Sequence, residues 1–323
     1  MKYSLIILVS LFFTNLFSQK DSTIIKREKV LSIYLNKIRT SVLDSDKKKF
    51  NQEFKSYLLE TLYLPESYTY TFPNLKTIGF IDSPDKSFRI VNWNVQQEDE
   101  SNLFFCFIVK KGNKKKNKVI ELINKSPIYD MPTDIVQESN WYGALYYKII
   151  PVKKGKKEIY TVLGWRSNGN ISSMKIIDII QINGNHVKLG MPIFISKKEK
   201  LKRVILEYSK KATMTLRYEA KYDRIVFDHL SPESPTMNGM YEYYVPDMSY
   251  DAYIFENDFW ILNEDVIAIN DAEKNVYKQF SIDKNTGEIK EEEVKKDWID
   301  PTDQNAPGGQ NKHTPALPKP KKR

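Results

Sequence analysis

The sequence predicts a mainly β protein: an N-terminal helical pair, then an antiparallel meander sheet or sandwich, then a disordered C-terminal tail. A propeller-like arrangement of four-stranded units is the alternative. Three observations carry this. Residues 141–195 hold four apolar, β-branched runs separated only by turns. Two of those turns contain Asn168-Gly169 and Asn183-Gly184, and an Asn-Gly pair adopts the positive φ of a tight hairpin cheaply. The chain is also rich in aromatics, with 20 Tyr and 16 Phe among 323 residues, which suits strands better than helices.

The run between the two Asn-Gly pairs, Ser172 to Ile182, reads SSMKIIDIIQI. It is apolar on both faces, as a strand buried within a sheet is. It is expected to pair on both sides.

Taken in order, residues 1–18 have one early lysine, a short apolar core and Ser18 before Gln19, the pattern of a secretory signal peptide. The apolar run is short for a membrane span. No cysteine lies near the junction, so a lipoprotein anchor is not expected. The mature chain is expected in the periplasm or at the cell surface, with no transmembrane span after cleavage.

Residues 19–67 form the helical segment. Val30, Tyr34, Ile38 and Val42 recur every four residues, as do Phe50, Phe54, Leu58 and Leu62. Asp44, Ser45 and Asp46 are start signals, and Pro65 is a stop.

The β domain is expected over 68–300. Thr77–Ile81, Phe88–Val95, Leu103–Lys110 and Val119–Ile123 are apolar runs joined by polar turns. Residues 126–140 read as a connecting loop or short helix, and Lys197–Lys202 as a charged connector. RVILEYS, ATMTLRY and DRIVFDHL are three more strands. Residues 231–252 read as a long loop rich in Pro and Tyr. Strands resume over 253–282, with turns at Asn257-Asp258 and Asn285-Thr286-Gly287. The strands fall into three loosely similar meanders, near 76–123, 144–195 and 203–263. Residues 301–323 are too poor in apolar groups to order.

Chemistry-bearing patterns are sparse. The formal charge is +9, but the tail alone holds five basic residues and one acid, so the body is only mildly basic. The lysine runs lie beside turns, which argues against a nucleic-acid face. Cys106 sits within LFFCFIV and is expected to be a buried, inert thiol. The three histidines show no zinc spacing, and no phosphate-binding loop or nucleophile elbow is present. No cofactor and no metal are expected.

His229 and Asp228 are neighbours on one strand, so they point to opposite faces and cannot form a dyad with each other. His229 is expected to be a structural histidine near a strand end. Asp178, among isoleucines, needs a partner if buried. The candidate binding residues are Tyr241, Tyr243, Tyr244, Tyr250, Asp247 and Asp251. Aromatic rings beside carboxylates on a loop offer wide apolar area with polar tips.

The segment Arg203–Ala252, with RVILEYSKKATMTLRYEAKYDRIVFDHLSPESP followed by GMYEYYVPDMSYDA, resembles a recurrent segment of uncharacterised secreted proteins of Bacteroidota. The leader ending Phe-Ser-Gln and the Lys-, Asn- and Ile-rich composition are similar too. The resemblance implies an envelope location and that bacterial group, with no activity attached. The expected function is a non-catalytic exported binding module for an envelope protein or cell-wall component. The alternatives are a hydrolase of envelope glycans or peptides using Asp228, Asp247 and Asp251, and a scaffold subunit of a secretion or assembly complex.

Overall fold

The structure, a computed structural model, describes residues 23–112, 115–125, 132–267, 276–282 and 289–295. The expected leader, the Asn285-Thr286-Gly287 turn and the tail lie outside the described residues. The chain divides into two compact units at Val266/Ile267.

The first unit opens with two helices, α1 (residues 23–40) and α2 (Asp44–Tyr63). The stripe of α1 is out of phase with the expected one. Ile24, Leu31, Leu35 and Ile38 are buried, Val30 and Tyr34 are half-buried, and Val42 is exposed beyond the helix end. A four-residue step drifts around a helix of 3.6 residues per turn, so only Ile38 of that stripe stays inside. On α2 the reading holds better, with Phe54, Leu58 and Leu62 buried. The helix starts at Asp44, so Asp44 and Asp46 lie in its first turn, where the dipole favours carboxylates. Glu28 of α1 is fully buried with no ion pair among the described residues. It accepts hydrogen bonds from Tyr70 OH (2.6 Å), Asn74 N (2.7 Å) and Asn74 Nδ2 (3.1 Å), tying α1 to the segment that leads into the sheets.

Three sheets follow. The first is a meander of β1 (Gly79–Asp82), β2 (Arg89–Gln96), β3 (Asn102–Lys110) and β4 (Lys118–Leu122). The second has the order β5 (Val136–Gln137), β9 (His186–Leu189), β8 (Ser172–Asn183), β7 (Lys157–Asn168), β6 (Leu145–Lys154). β12 (Val204–Ser209) joins it beside β8. The third has the order β11 (Glu199–Leu201), β10 (Phe194–Ser196), β16 (Phe259–Asn263), β15 (Tyr244–Glu256), β14 (Arg224–Pro232), β13 (Leu216–Glu219). All pairs are antiparallel except β10 with β16.

The alternation of side chains turns these sheets into a stack. Val91, Trp93, Val95, Phe107 and Val109 face the helices. Ile90, Phe104, Cys106 and Ile108 face the second sheet, where Trp141, Tyr146, Met174 and Ile176 meet them. Leu163, Ile177 and Ile179 leave the other side of that sheet for Phe227, Tyr253 and Trp260 of the third. The middle sheet is therefore buried on both faces, which explains why β8 carries isoleucines on both of them, Ile176 and Ile180 on one and Ile177 and Ile179 on the other. Cys106 is buried as expected, and desolvation pushes its thiol well above the ordinary value.

Both expected reversals occur, each displaced by one residue. Asn168 pairs with Ser172, so the loop is residues 169–171, with Gly169 at φ +61°. Asn183 pairs with His186, which places Gly184 (φ +64°) at the first central position, the type II′ choice. β8 pairs on both sides, with β7 on one and with β9 and β12 on the other. RVILEYS thus belongs to the middle sheet and not to a third meander. The connector at Lys197–Lys202 is itself a hairpin edge, because Ser196 pairs with Glu199.

The first two sheets are stitched by one amide. Asn92 Oδ1 accepts from Tyr146 N (2.6 Å) and Asn92 Nδ2 donates to Tyr146 O (3.3 Å), as a neighbouring strand would. This occurs beside the bulge of β6 between Tyr146 and Lys148. Gly79 makes room for it, since a Cβ there would stand 2.6 Å from Asn92 Nδ2.

In the second unit, β17 (Val276–Ile282) and β18 (Ile289–Lys295) form an antiparallel hairpin.

Candidate functional site

Residues 231–252 are not a loop. β14 runs on to Pro232, which pairs with Tyr244, and β15 starts there. Tyr244, Met248, Tyr250 and Ala252 recur at even positions and suit a strand, and Pro246 sits close to the register break opposite Asp228–Leu230. The result is a two-stranded arm. Its tip, 233–243, is closed by Glu233 N donating to Tyr243 O (3.1 Å) and contains short turns at Pro235–Met237 and Tyr241–Tyr243.

The six predicted binding residues divide between tip and base. Tyr241 (51% exposed) and Tyr243 point to solvent at the tip. Tyr244 organises the tip: its OH donates to Asn238 Oδ1 (3.0 Å), accepts from Gly239 N (3.0 Å), and its ring lies 5.1 Å from that of Tyr241. Tyr250 is half-buried, with the Arg217 guanidinium 5.9 Å from its ring centre. Asp247 and Asp251 belong to a polar cluster at the base. Two exposed residues escaped the sequence reading, Met240 and Met248, and Met248 is 95% exposed with φ +73°. Methionine reads as core in a sequence, so only the hairpin geometry shows that these two are exposed.

At the base, His229 Nδ1 lies 2.8 Å from Asp251 Oδ2 and Nε2 lies 3.9 Å from Asp247 Oδ2. The register breaks on β15, where residues 247–249 stand opposite His229 alone, which brings Asp247 to the imidazole while Ile225 and Phe227 stay in the core. Asp251 is buried, and its Oδ1 accepts Asp265 N (3.1 Å). Asp247 accepts Ser231 Oγ (2.6 Å), Ser249 Oγ (2.7 Å) and Ser249 N (3.1 Å). Burial would raise the Asp247 carboxyl, but these bonds and the charge of His229 hold it below the usual range.

This constellation resembles hydrolytic machinery in composition but not in wiring. The Ser231 hydroxyl donates to Asp247 and not to the imidazole, so a nucleophile–base bond is not formed. Burial lowers the His229 pKa, but the Asp251 hydrogen bond and the charges of Asp251, Asp247 and Asp265 outweigh it and raise the group overall. The His229–Asp251 bond clasps the two strands together at the base of the arm. Asp228, the third suspect, accepts Thr215 N (2.7 Å). Among the described residues, no three His, Cys, Asp or Glu side chains gather as metal ligands.

The clasp has a pH signature. A pKa raised by folding contributes stability fully below the unfolded value of about 6.5 and loses it as pH rises through the folded value. His229→Asn is expected to flatten the stability–pH curve across that window. The His229 ring, followed by NMR, is expected to titrate above the unfolded value, and to drop further in Asp251→Asn than in Asp247→Asn.

Comparison with protein-family models, curated proteins and solved structures finds no match.

Proposed function

We propose that the protein is an exported binding module of the cell envelope, and that its arm engages an envelope protein or cell-wall component. The observation that supports this is the exposed apolar area of the arm, at its tip and on β15 below it. Met240, Tyr241, Tyr243 and Met248 expose apolar area on a strand pair whose register and turn geometry are fixed. Tyr supplies rigid amphipathic contact area, and Met adapts to irregular partners. The His229 clasp at the base holds both strands of the arm together, which limits the ordering needed on binding.

The test is capture by crosslinking in the intact envelope, comparing the parent with Tyr241→Ser, Tyr243→Ser and Met248→Ser, singly and combined. Each exposed anchor is expected to contribute about 1–2 kcal/mol of binding, so the combined variant should lose its partner while its thermal midpoint stays unchanged. Unaltered capture by the combined variant would refute the arm as the site. Co-purification of a fixed set of subunits from membranes would identify a scaffold in a larger assembly.

A further inference from the structure

A second concavity lies away from the arm, between α2 and the edge of the first sheet. This cleft of about 610 Å³ is walled by Lys48, Asn51, Gln52 and Lys55 of α2 and floored by Leu103, Phe105 and Leu122. It opens where two strands part. The ladder between β3 and β4 ends at the Cys106–Leu122 pair. Beyond it the chain turns to the middle sheet: Ile123 N donates to Glu138 O (2.7 Å), and Trp141 N donates to Ile123 O (2.9 Å).

The hydrogen-bond phase of β3 then leaves an edge. Gln97 N donates to Ser101 O (2.8 Å), in register with the β2–β3 pairing, so odd-numbered residues of β3 bond β2 and even-numbered ones face β4. Phe104 therefore directs N–H and C=O toward the cleft, with no strand paired to it on that side among the described residues. The Asn124 side chain is also in the lining, and its buried Oδ1 has no hydrogen-bond partner among the described residues. Leu103 (37% exposed) and Ile123 (43% exposed) offer apolar seats to either side. Lys55 pairs with Glu121, whereas Lys48 has no ion pair among the described residues.

We infer that this cleft binds an extended peptide segment of another protein, its backbone read by the open edge of β3 and by the side-chain amides of Gln52 and Asn124. Alternate apolar side chains seat on Leu103 and Ile123, and a carboxylate faces Lys48. A strand edge recognises a backbone, which favours a peptide over a glycan. The rings agree, because Phe105 stacks on Trp93 (5.3 Å) and Phe104 packs edge-on against Trp165 (6.0 Å), leaving no flat platform for a sugar.

The test uses the full chain and fluorescein-labelled octapeptides with Val or Ile at alternate positions and Glu or Lys between. Each has a twin N-methylated at alternate amides. The Glu peptides are expected to bind, and both the Lys peptides and the N-methylated twins to bind about tenfold more weakly. Amide exchange at Phe104 should slow on binding. Leu103→Asp and Ile123→Asp should each weaken binding about tenfold at an unchanged thermal midpoint. Lys48→Glu should reverse the Glu-over-Lys preference. Absence of binding by every peptide, equal binding of the N-methylated twins, or binding of a soluble chitin oligomer in their place would each overturn the inference. The arm variants above should leave this peptide binding intact, so the two sites fail or stand separately.

Discussion

Arg203→Met is expected to destabilise the fold by about 3–5 kcal/mol, read by chemical denaturation. The Arg203 and Asp178 side chains are both fully buried, with Nε 2.6 Å from Asp178 Oδ2. Asp178 also accepts Tyr142 OH (2.9 Å) and Ile179 N (2.7 Å). Tyr142 OH lies 2.8 Å from Tyr146 OH, which accepts Trp141 Nε1 (2.9 Å). The guanidinium donates to Pro132 O and Asp134 O (3.0 Å) and lies 4.3 Å from the centre of the Tyr142 ring. Burial pushes the Asp178 carboxyl up, and the guanidinium is the chief force holding it back. Without Arg203, Asp178 would fold protonated. A folded pKa above the unfolded value of about 3.9 penalises folding only as pH rises past that value, so the defect should shrink in acid. Asp178→Leu combined with Arg203→Met should recover much of the loss, because the charge and its partner leave together. A single variant within about 1 kcal/mol of the parent would show that the pair does not support the fold.

Trp260→Ala is expected to cost about 3–5 kcal/mol, with a matching fall in thermal midpoint. Trp260 is fully buried between the second and third sheets. Its indole packs edge-on against Phe255 (5.2 Å) and donates to Thr161 Oγ1 (2.9 Å) in the middle sheet. Its backbone N donates to Ile193 O (2.8 Å), beside the parallel pair of β10 and β16. Trp260→Phe keeps most of the apolar bulk and removes the indole N–H, so its cost should fall to about 1–2 kcal/mol. Equal losses for the two would mean that the hydrogen bond, not the packing, carries the effect.

Apolar runs between polar turns made the strands of the first sheet legible to within two residues. Turn chemistry made the reversals legible, and Asn257-Asp258 is a two-residue loop with both φ values positive. Partners across a distance were not legible. Nothing in RVILEYS says that it pairs with β8 rather than with the strand that follows it, because its side chains suit either sheet. The parallel contact of β10 with β16 joins segments far apart in sequence. Proline and tyrosine made 231–252 look like a loop, because the bulge near Pro246 leaves no local mark. Of the candidate site, the aromatic tip was readable from composition. The His229 clasp was not, since it depends on a bulge that breaks strict alternation. Asp178 announced the need for a partner but gave no means of choosing Arg203.

The arm also shields the strand it leans on. β12 pairs with β8 on one side and with no strand on the other among the described residues, and the turn at Tyr241–Tyr243 lies against it. An uncovered run of Val, Ile and Leu is a template for cross-β growth between copies. Cutting the tip away would bare that template, so a truncated chain should precipitate for reasons unrelated to lost recognition. The length of the tip would then be constrained by aggregation as well as by recognition.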